Sequence, residues 1–442
     1  MGELFLSKIK KLCYLKIGGL MRSINLLSAC LTVVLGLVLA ISLRFFFIRH
    51  PIRCVRRLFR LLSERASRRA LLLALAGTLG VGNIYGVALG IKLGGEGSAF
   101  WLFVSSFFAM AVKYSESVLS NHFASDGRGM MIPIECSFGR LGKPLAALYC
   151  ISMLLLSLFM GAFIQADSLI SSSSYAFSVP EILVAVVIIV AVLFVTVGGR
   201  DGIKNATEAL IPLATAFYVL LSLIVIIRGF DRIPSVISRV IISAFSPTSV
   251  IFGIVPAVSS SAFTEGFARG LLSNEAGAGS SAMAHSEGKR DAADAGLCGI
   301  LEIIFDTNLL CMLTALVVLL EVENPSLARS PMVMVFEAFA GGVGEWALAP
   351  LLICIALFAY STVICWYYYG CRCLSYLSLD KSKNIYAIAF YAFLFLPSIL
   401  DGEGAVYLSD MLLFIMSVPT LLCLVIHRKN IAKITRKSGL LD

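Results

Sequence analysis

The residues with the clearest chemical potential lie where a membrane-like sequence should carry none. Asn83 follows Gly80, Val81 and Gly82 in the middle of an uncharged apolar run from Ala70 to Ile91. Glycine favours a helix break, and the backbone groups freed by a break need protein, water or a ligand as partners. An amide and unwound carbonyls at such a point can coordinate a hard cation or grip an ammonium, while a half-helix N-terminus attracts a carboxylate. A second set runs through Thr264, Glu265, Arg269, Ser273, Asn274 and Glu275 into Gly277 and Gly279. Charges near an apolar span cost about 2.5 to 3.5 kcal/mol each at its centre, so these should be paired or face a cavity. A third set places Asp306, Thr307 and Asn308 in one apolar span and Ser361, Thr362, Trp366 and Tyr367 in the next. Thr362 and Trp366 are four residues apart and share a helix face, a hydroxyl beside an aromatic wall suited to a small zwitterion. Taken alone, Ser361 and Thr362 would more often bond the preceding turn, and Trp366 would serve as an interfacial anchor. Asp306 is harder to dismiss, because an intramembrane carboxylate is by default a cation or proton site.

The elements that must hold these groups are membrane helices. Of the 442 residues 59% are hydrophobic and only 14% charged, and the mean hydropathy is +0.91, whereas soluble domains carry about 25% charged residues. A bilayer core needs about 20 helical residues. The plain candidates are Leu26–Leu43, Ala70–Ile91, Pro144–Ala166, Ile182–Gly199, Ala209–Ile227 and Trp346–Cys371. Shorter or more polar ones are Gly97–Val112, Val240–Gly279, Ala295–Leu320, Asn384–Leu400 and Met411–His427. About eleven spans are expected in an all-α integral membrane protein. The breaks near Asn83 and Asn274 occupy corresponding places if the chain is an inverted repeat of five plus five helices after one extra N-terminal helix. That gives an N-terminal segment 1–69, repeats 70–229 and 230–427, and a basic tail 428–442.

Nine arginines between Arg44 and Arg69 form an amphipathic stretch expected on the anionic cytoplasmic surface. This topology puts more than twice as many basic residues inside as outside, and it explains the net charge of +9 without a nucleic-acid partner. It also places the N-terminus outside, against which Lys8, Lys10, Lys11 and Lys16 argue mildly. The twelve cysteines include no C-x-x-C pair, so neither a disulfide framework nor a transition-metal site is expected. Gly80, Gly82 and Gly86 miss the dinucleotide spacing, and Thr196 to Gly199 lack the surroundings of a potassium filter. The four histidines, His50, His122, His285 and His427, fall near expected cytoplasmic ends without an H-E-x-x-H, which argues against a membrane metalloprotease.

Gly80-Val81-Gly82-Asn83-Ile84 with Gly86, Arg269-Gly270-Leu271-Leu272-Ser273-Asn274-Glu275-Ala276-Gly277, Asp306-Thr307, and Ser361-Thr362 with Trp366 and Tyr368-Tyr369-Gly370 together resemble the alanine or glycine:cation symporter family. The resemblance runs from about Leu31 to His427. It implies a LeuT-type five-plus-five fold and alternating access, with sodium-coupled uptake of alanine and glycine across the bacterial inner membrane. It implies no enzyme activity and no cofactor beyond sodium as the co-transported ion, and a monomer or weak oligomer in the bilayer. The amino acid is expected at Gly80, Val81, Gly82, Gln165, Asn274, Thr362 and Trp366. The cation is expected at Thr78, Asn83, Asp306, Thr307 and Ser361. The sequence departs from the family pattern at Val81, Glu96, Asp167 and Cys371, which bears on substrate and coupling more than on fold. The alternatives are a proton-driven permease of the same superfamily, with Asp306 or Asp167 as carrier, and a multi-pass membrane enzyme, for which no convergent metal or nucleophile–base set is present.

Overall fold

The computed structural model describes residues 23–123, 126–246, 261–287, 291–400 and 402–441. Its elements are helical. An N-terminal helix α1 (Ser23–Ser42) leads to an amphipathic helix α2 (Pro51–Ser63), then α3 (Arg65–Thr78) and α4 (Val87–Gly94), which are separated by a break and a π-turn. There follow α5 (Ser98–Phe123), α6 (Gly139–Phe177), α7 (Glu181–Thr196), α8 (Gly199–Arg228) and α9 (Ile233–Phe245). The second half holds α10 (Ser261–Asn274), a short α11 (Ala282–His285), α12 (Ala292–Glu321), α13 (Pro331–Val343), α14 (Glu345–Tyr376), α15 (Lys383–Phe395), α16 (Gly404–Ile426) and α17 (Arg428–Lys437).

Among the described residues seven helices are long and apolar enough to cross a membrane, and the bent pair α3–α4 makes an eighth. Three expected spans differ from their sequence reading. Helix α7 has 16 residues and α15 only 13, because Gly198–Gly199 and Pro397 end them. The stretch read as Val240–Gly279 is divided between α9 and α10, and its middle, 247–260, lies outside the described residues. So do Lys8, Lys10, Lys11 and Lys16.

Helix α5 is the hub. Gly266 and Gly270, one turn apart on α10, face it so closely that a Cβ would lie 2.5 Å from Ser98 O and 2.2 Å from Ser105 Oγ. On its other side a Cβ on Gly296 or Gly299 of α12 would fall 2.6–2.9 Å from Tyr114, Val118, Ser117 and Lys113. Apolar helices gain nothing hydrophobic from associating in lipid, so small residues that admit close backbone approach are what holds them. The same device joins α6 to α14, where a Cβ on Gly161 would fall 2.3 Å from Trp366 Cβ. The breaks of α3–α4 and α10–α11 are thereby pressed between α5, α6, α12 and α14.

Candidate functional site

The first break begins where α3 ends at Thr78 and bends the span by 52°. Leu79 leaves the helical region (φ −77°, ψ 69°), and the chain re-enters through a π-turn, Gly82–Gly86. Its freed groups are met by distant side chains. Val81 N–H donates to Gln165 Oε1 (3.0 Å), whose own amide donates to Met160 O (3.2 Å) in the π-helical stretch Ser157–Phe163. Thr362 Oγ1 lies 3.4 Å from Leu79 O, and the Trp366 indole donates to Gly77 O (3.2 Å). A Cβ on Gly80 would stand 2.7 Å from Thr362 Oγ1 and 3.1 Å from Gln165 Oε1, so only glycine fits there. Gly80, Val81, Gln165, Thr362 and Trp366 therefore converge, although 286 positions separate the ends of the set. Gly82 faces the backbone of Ser273, across from the second broken helix.

One turn on, Asn83 points to Asp306. Its Nδ2 donates to Asp306 Oδ1 (2.5 Å) and lies 3.2 Å from Asp306 O. The carboxylate also accepts from Ser273 Oγ (3.0 Å) and Thr307 Oγ1 (2.8 Å), and Thr307 Oγ1 accepts from Asn274 Nδ2 (3.2 Å). Asn83, Ser273, Asn274, Asp306 and Thr307 are all buried. Asp306 lies in a third π-helical segment, Ile304–Cys311, whose wider turn alters the register of α12 at this point. Asn83 Oδ1 is buried and has no hydrogen-bond partner. A lone acceptor beside a buried carboxylate is costly unless something positive is shared between them. The oxygens available are an amide carbonyl, a carboxylate and two hydroxyls, and the buried Cys311 thiol lies against Asn83 Nδ2 (3.4 Å) and Ser273 Oγ (3.2 Å). The oxygens suit a hard cation.

Two expected cation ligands do not join this cluster. Ser361 Oγ donates to Phe358 O (2.9 Å) in its own helix, and Thr78 Oγ1 bonds back to Ala74 O (3.4 Å). Ser273, absent from the expected set, does join it. Thr314 also contributes, donating to Asn83 O (3.0 Å). Both hydroxyls were visible in sequence, but only the pairing of α10 and α12 with the first break shows their target.

The second break is built differently. Glu275, Gly277 and Gly279 all take positive φ (53°, 95° and 70°). Glu116 of α5 reaches the loop, and its Oε1 accepts from Gly277 N (2.8 Å) and Gly279 N (3.1 Å). Asn274 Oδ1 accepts from Ala276 N (3.0 Å), and the Tyr149 hydroxyl donates to Gly279 O (2.9 Å). Beside it Lys113 pairs with Glu302 (3.2 Å) and donates to Ser281 (2.6 Å), while His285 contacts Glu302 at 2.8 Å. All three ionisable side chains are fully buried, so His285, expected near a helix end, is part of the interior. Farther along α10, Arg269 pairs with Asp410 (2.7 Å) and Glu265 (3.7 Å), as charges in a span require. Outside the spans, Glu287 accepts hydrogen bonds from Arg200, Lys204 and Tyr368, tying α8 to α14. Burial pushes its carboxyl up, but the bonds from Arg200 and Lys204 more than offset this and hold it below the ordinary carboxylate value.

Residues 13–438 match the model of the sodium:alanine symporter family. The chain belongs to that family. It is 30% identical over 410 residues to the amino-acid carrier protein AlsT of Bacillus subtilis, covering 88% of this chain and 85% of that protein. It is also 30% identical over 369 residues to the sodium/alanine symporter AgcS of Methanococcus maripaludis, covering 81% of each. Among solved structures, MhsT in complex with L-phenylalanine superposes with a TM-score of 0.58 at 12% identity, covering 85% of this chain and 98% of that one. The Eremococcus coleocola manganese transporter superposes at 0.53 and 15%, covering 84% and 85%. Family and fold together make the chain a multi-pass membrane symporter of the LeuT-type fold, with alanine transport as the family's trait.

Proposed function

We propose that this symporter takes up small neutral amino acids, alanine and glycine, together with sodium, by alternating access about the first helix break. The observation that carries the reading is the unpartnered Asn83 Oδ1 beside the Asp306 carboxylate, both buried at a point of broken helix. Sodium takes Asn83 Oδ1, an Asp306 oxygen and the hydroxyls of Ser273 and Thr307; Thr78 and Ser361, committed to their own helices, are auxiliary. The amino acid lies along Gly80, Val81 and Gly82, with Gln165, Asn274 and Thr362 for its charged ends and Trp366 bounding its side chain. In the resting arrangement described above, Gln165 and Thr362 occupy the very backbone groups that a zwitterion's carboxylate and ammonium would engage. Ligand entry therefore exchanges those internal hydrogen bonds for bonds to the substrate. The repeat boundaries are 70–229 and 230–427, and each repeat contains one of the two broken helices.

Proton coupling through Asp306 is the second reading, favoured by the burial of that carboxylate and by the name of a relative, the sodium/proton-dependent alanine carrier protein of Bacillus sp. PS3, 28% identical over 346 residues. Asp167 is the weaker carrier, because it sits against Gly402 rather than in the cluster. Labelled alanine uptake into proteoliposomes, with sodium and pH gradients imposed separately, tests the choice. Uptake should follow the sodium gradient and survive collapse of the pH gradient. Uptake that tracks only the pH gradient overturns sodium coupling.

A further inference from the structure

Helix α2 has three distinct faces. Successive residues turn by about 100°, which groups its side chains into separate sectors. Cys54, Leu58 and Leu61 are buried against the protein. Ile52, Val55 and Phe59 form an adjacent sector and are 75%, 49% and 70% exposed. Arg53, Arg56 and Arg60 form a third, also exposed. A water-bathed helix gains nothing from a row of exposed Ile, Val and Phe beside a row of arginines. A helix lying in the plane of a membrane does, with its apolar row in the acyl boundary and its cations at the head groups.

The fourth arginine of the helix points elsewhere. The Arg57 guanidinium bonds Asp294 through Nε, Asp291 Oδ2 through Nη2 (3.2 Å) and Ser438 O through Nη1 (2.7 Å). Asp291 caps α12, accepting from Ala293 N (2.8 Å). Ser438 follows α17, which itself exposes Lys429, Lys433, Arg436 and Lys437. A single side chain thus clasps the in-plane helix, the second basic helix and the N-terminus of the helix that carries Asp306. From Asp291 to Asp306 is about 22 Å of helix at 1.5 Å per residue.

We propose that α2 is a binding surface for anionic lipid head groups and that Arg57 transmits its occupancy to α12, so that membrane charge sets the transport rate. Charge complementarity selects the partner: an arginine near an anionic surface raises partitioning about five-fold, and neutral lipid offers nothing equivalent. The transport half of this proposal rests on the symport reading above; the lipid half does not.

The test uses full-length protein in vesicles of phosphatidylcholine alone or mixed with phosphatidylglycerol. The readouts are phosphatidylglycerol retained on the repurified protein and alanine uptake per folded molecule. The wild type should retain phosphatidylglycerol and transport several-fold faster in the mixed vesicles, with the gain reduced at high salt. The R53Q/R56Q/R60Q variant should lose retention and show the same slow rate in both vesicles. Arg57→Gln should keep retention but lose the rate response, and Asp294→Asn, which opens the same clasp from the other side, should do likewise. A merely structural clasp would lower thermal stability and leave the lipid response intact, and that result overturns the coupling. Retention by the triple variant equal to wild type overturns the lipid site. If no vesicle supports uptake while retention still depends on the three arginines, the symport reading fails and the lipid site stands.

Discussion

The two helix breaks lie opposite each other yet are finished in opposite ways. At the first, neutral side chains from other helices touch the freed backbone, at distances up to 3.4 Å, and one amide oxygen is left over. At the second, a carboxylate from α5 takes two backbone N–H groups at 2.8 and 3.1 Å, and positive-φ residues fix the turn. The second break is therefore fixed by two bonds to one buried carboxyl group and by its positive-φ turn, while the first rests on contacts from neutral side chains. On the proposed reading the first break carries most of the ligand contacts, with Ser273 and Asn274 added from the end of α10, and the loop from Glu275 to Gly279 anchors the second.

The sharpest way to break this comparison is to remove the unpaired amide. Asn83→Ala deletes the Oδ1 ligand and leaves Asp306 with fewer donors, whereas the glycines that make the break remain. A hydrogen bond to a charged group contributes about 1.5 to 3 kcal/mol, which predicts a loss of sodium-dependent uptake of roughly ten- to a hundred-fold, with near-normal insertion. Asp306→Asn should lose uptake as severely. Normal uptake by Asn83→Ala would make both breaks structural and move the cation elsewhere.

The converse perturbation addresses the second break. Glu116→Ala strands the N–H groups of Gly277 and Gly279 in the interior, each a penalty of about 1 to 3 kcal/mol. Its thermal unfolding midpoint should fall well below that of Asn83→Ala, while the apparent sodium affinity of the surviving folded protein changes little. Glu116→Gln, which keeps an acceptor oxygen, should recover much of the stability. If Glu116→Gln instead abolishes sodium dependence at unchanged stability, the carboxylate belongs to the ion pathway and the division between the breaks is wrong.

Much of this was readable in the sequence, for a local reason. Gly80 to Asn83 is anomalous within its own apolar run, so the break and its amide announce themselves without any partner being known. The same holds for Asp306 and for the Thr362/Trp366 face. What sequence could not supply was pairing. Asn83 meets Asp306 across 223 positions, and Lys113 meets Glu302 only because Gly296 and Gly299 let α12 approach α5. Ser361 shows the opposite failure: a hydroxyl in an apolar helix looks functional, yet its own turn satisfies it at 2.9 Å. Helix α2 was legible as an amphipathic arginine run, but the aim of Arg57 at Asp291 and Asp294 was not. Helix ends were missed where, as in α15, a proline cuts an apolar run short of the bilayer thickness.

The smallest expected effect concerns the wall of the first break, and it asks whether that break is tuned for size as well as open to exchange. Trp366 is fully buried, donates to Gly77 O and is backed by Gly161 at a distance that admits no side chain. Its position is thus fixed from two sides, as a size filter requires. Trp366→Phe keeps an aromatic ring but removes the indole N–H and some volume. An extra methylene in a tight apolar pocket is discriminated by about 1 to 3 kcal/mol, so the variant should admit one more methylene. Competition against labelled alanine reads this directly. Wild-type uptake should be inhibited by alanine, glycine and serine but not by leucine, and Trp366→Phe should bring 2-aminobutyrate about ten-fold closer to alanine. The Gly77 carbonyl loses its donor in the same variant, which adds a modest fall in thermal stability. That fall alone, with the competition order unchanged, would show that Trp366 braces α3 against α14 without touching substrate. An altered order would place selectivity at the break whose own hydrogen bonds the substrate must replace.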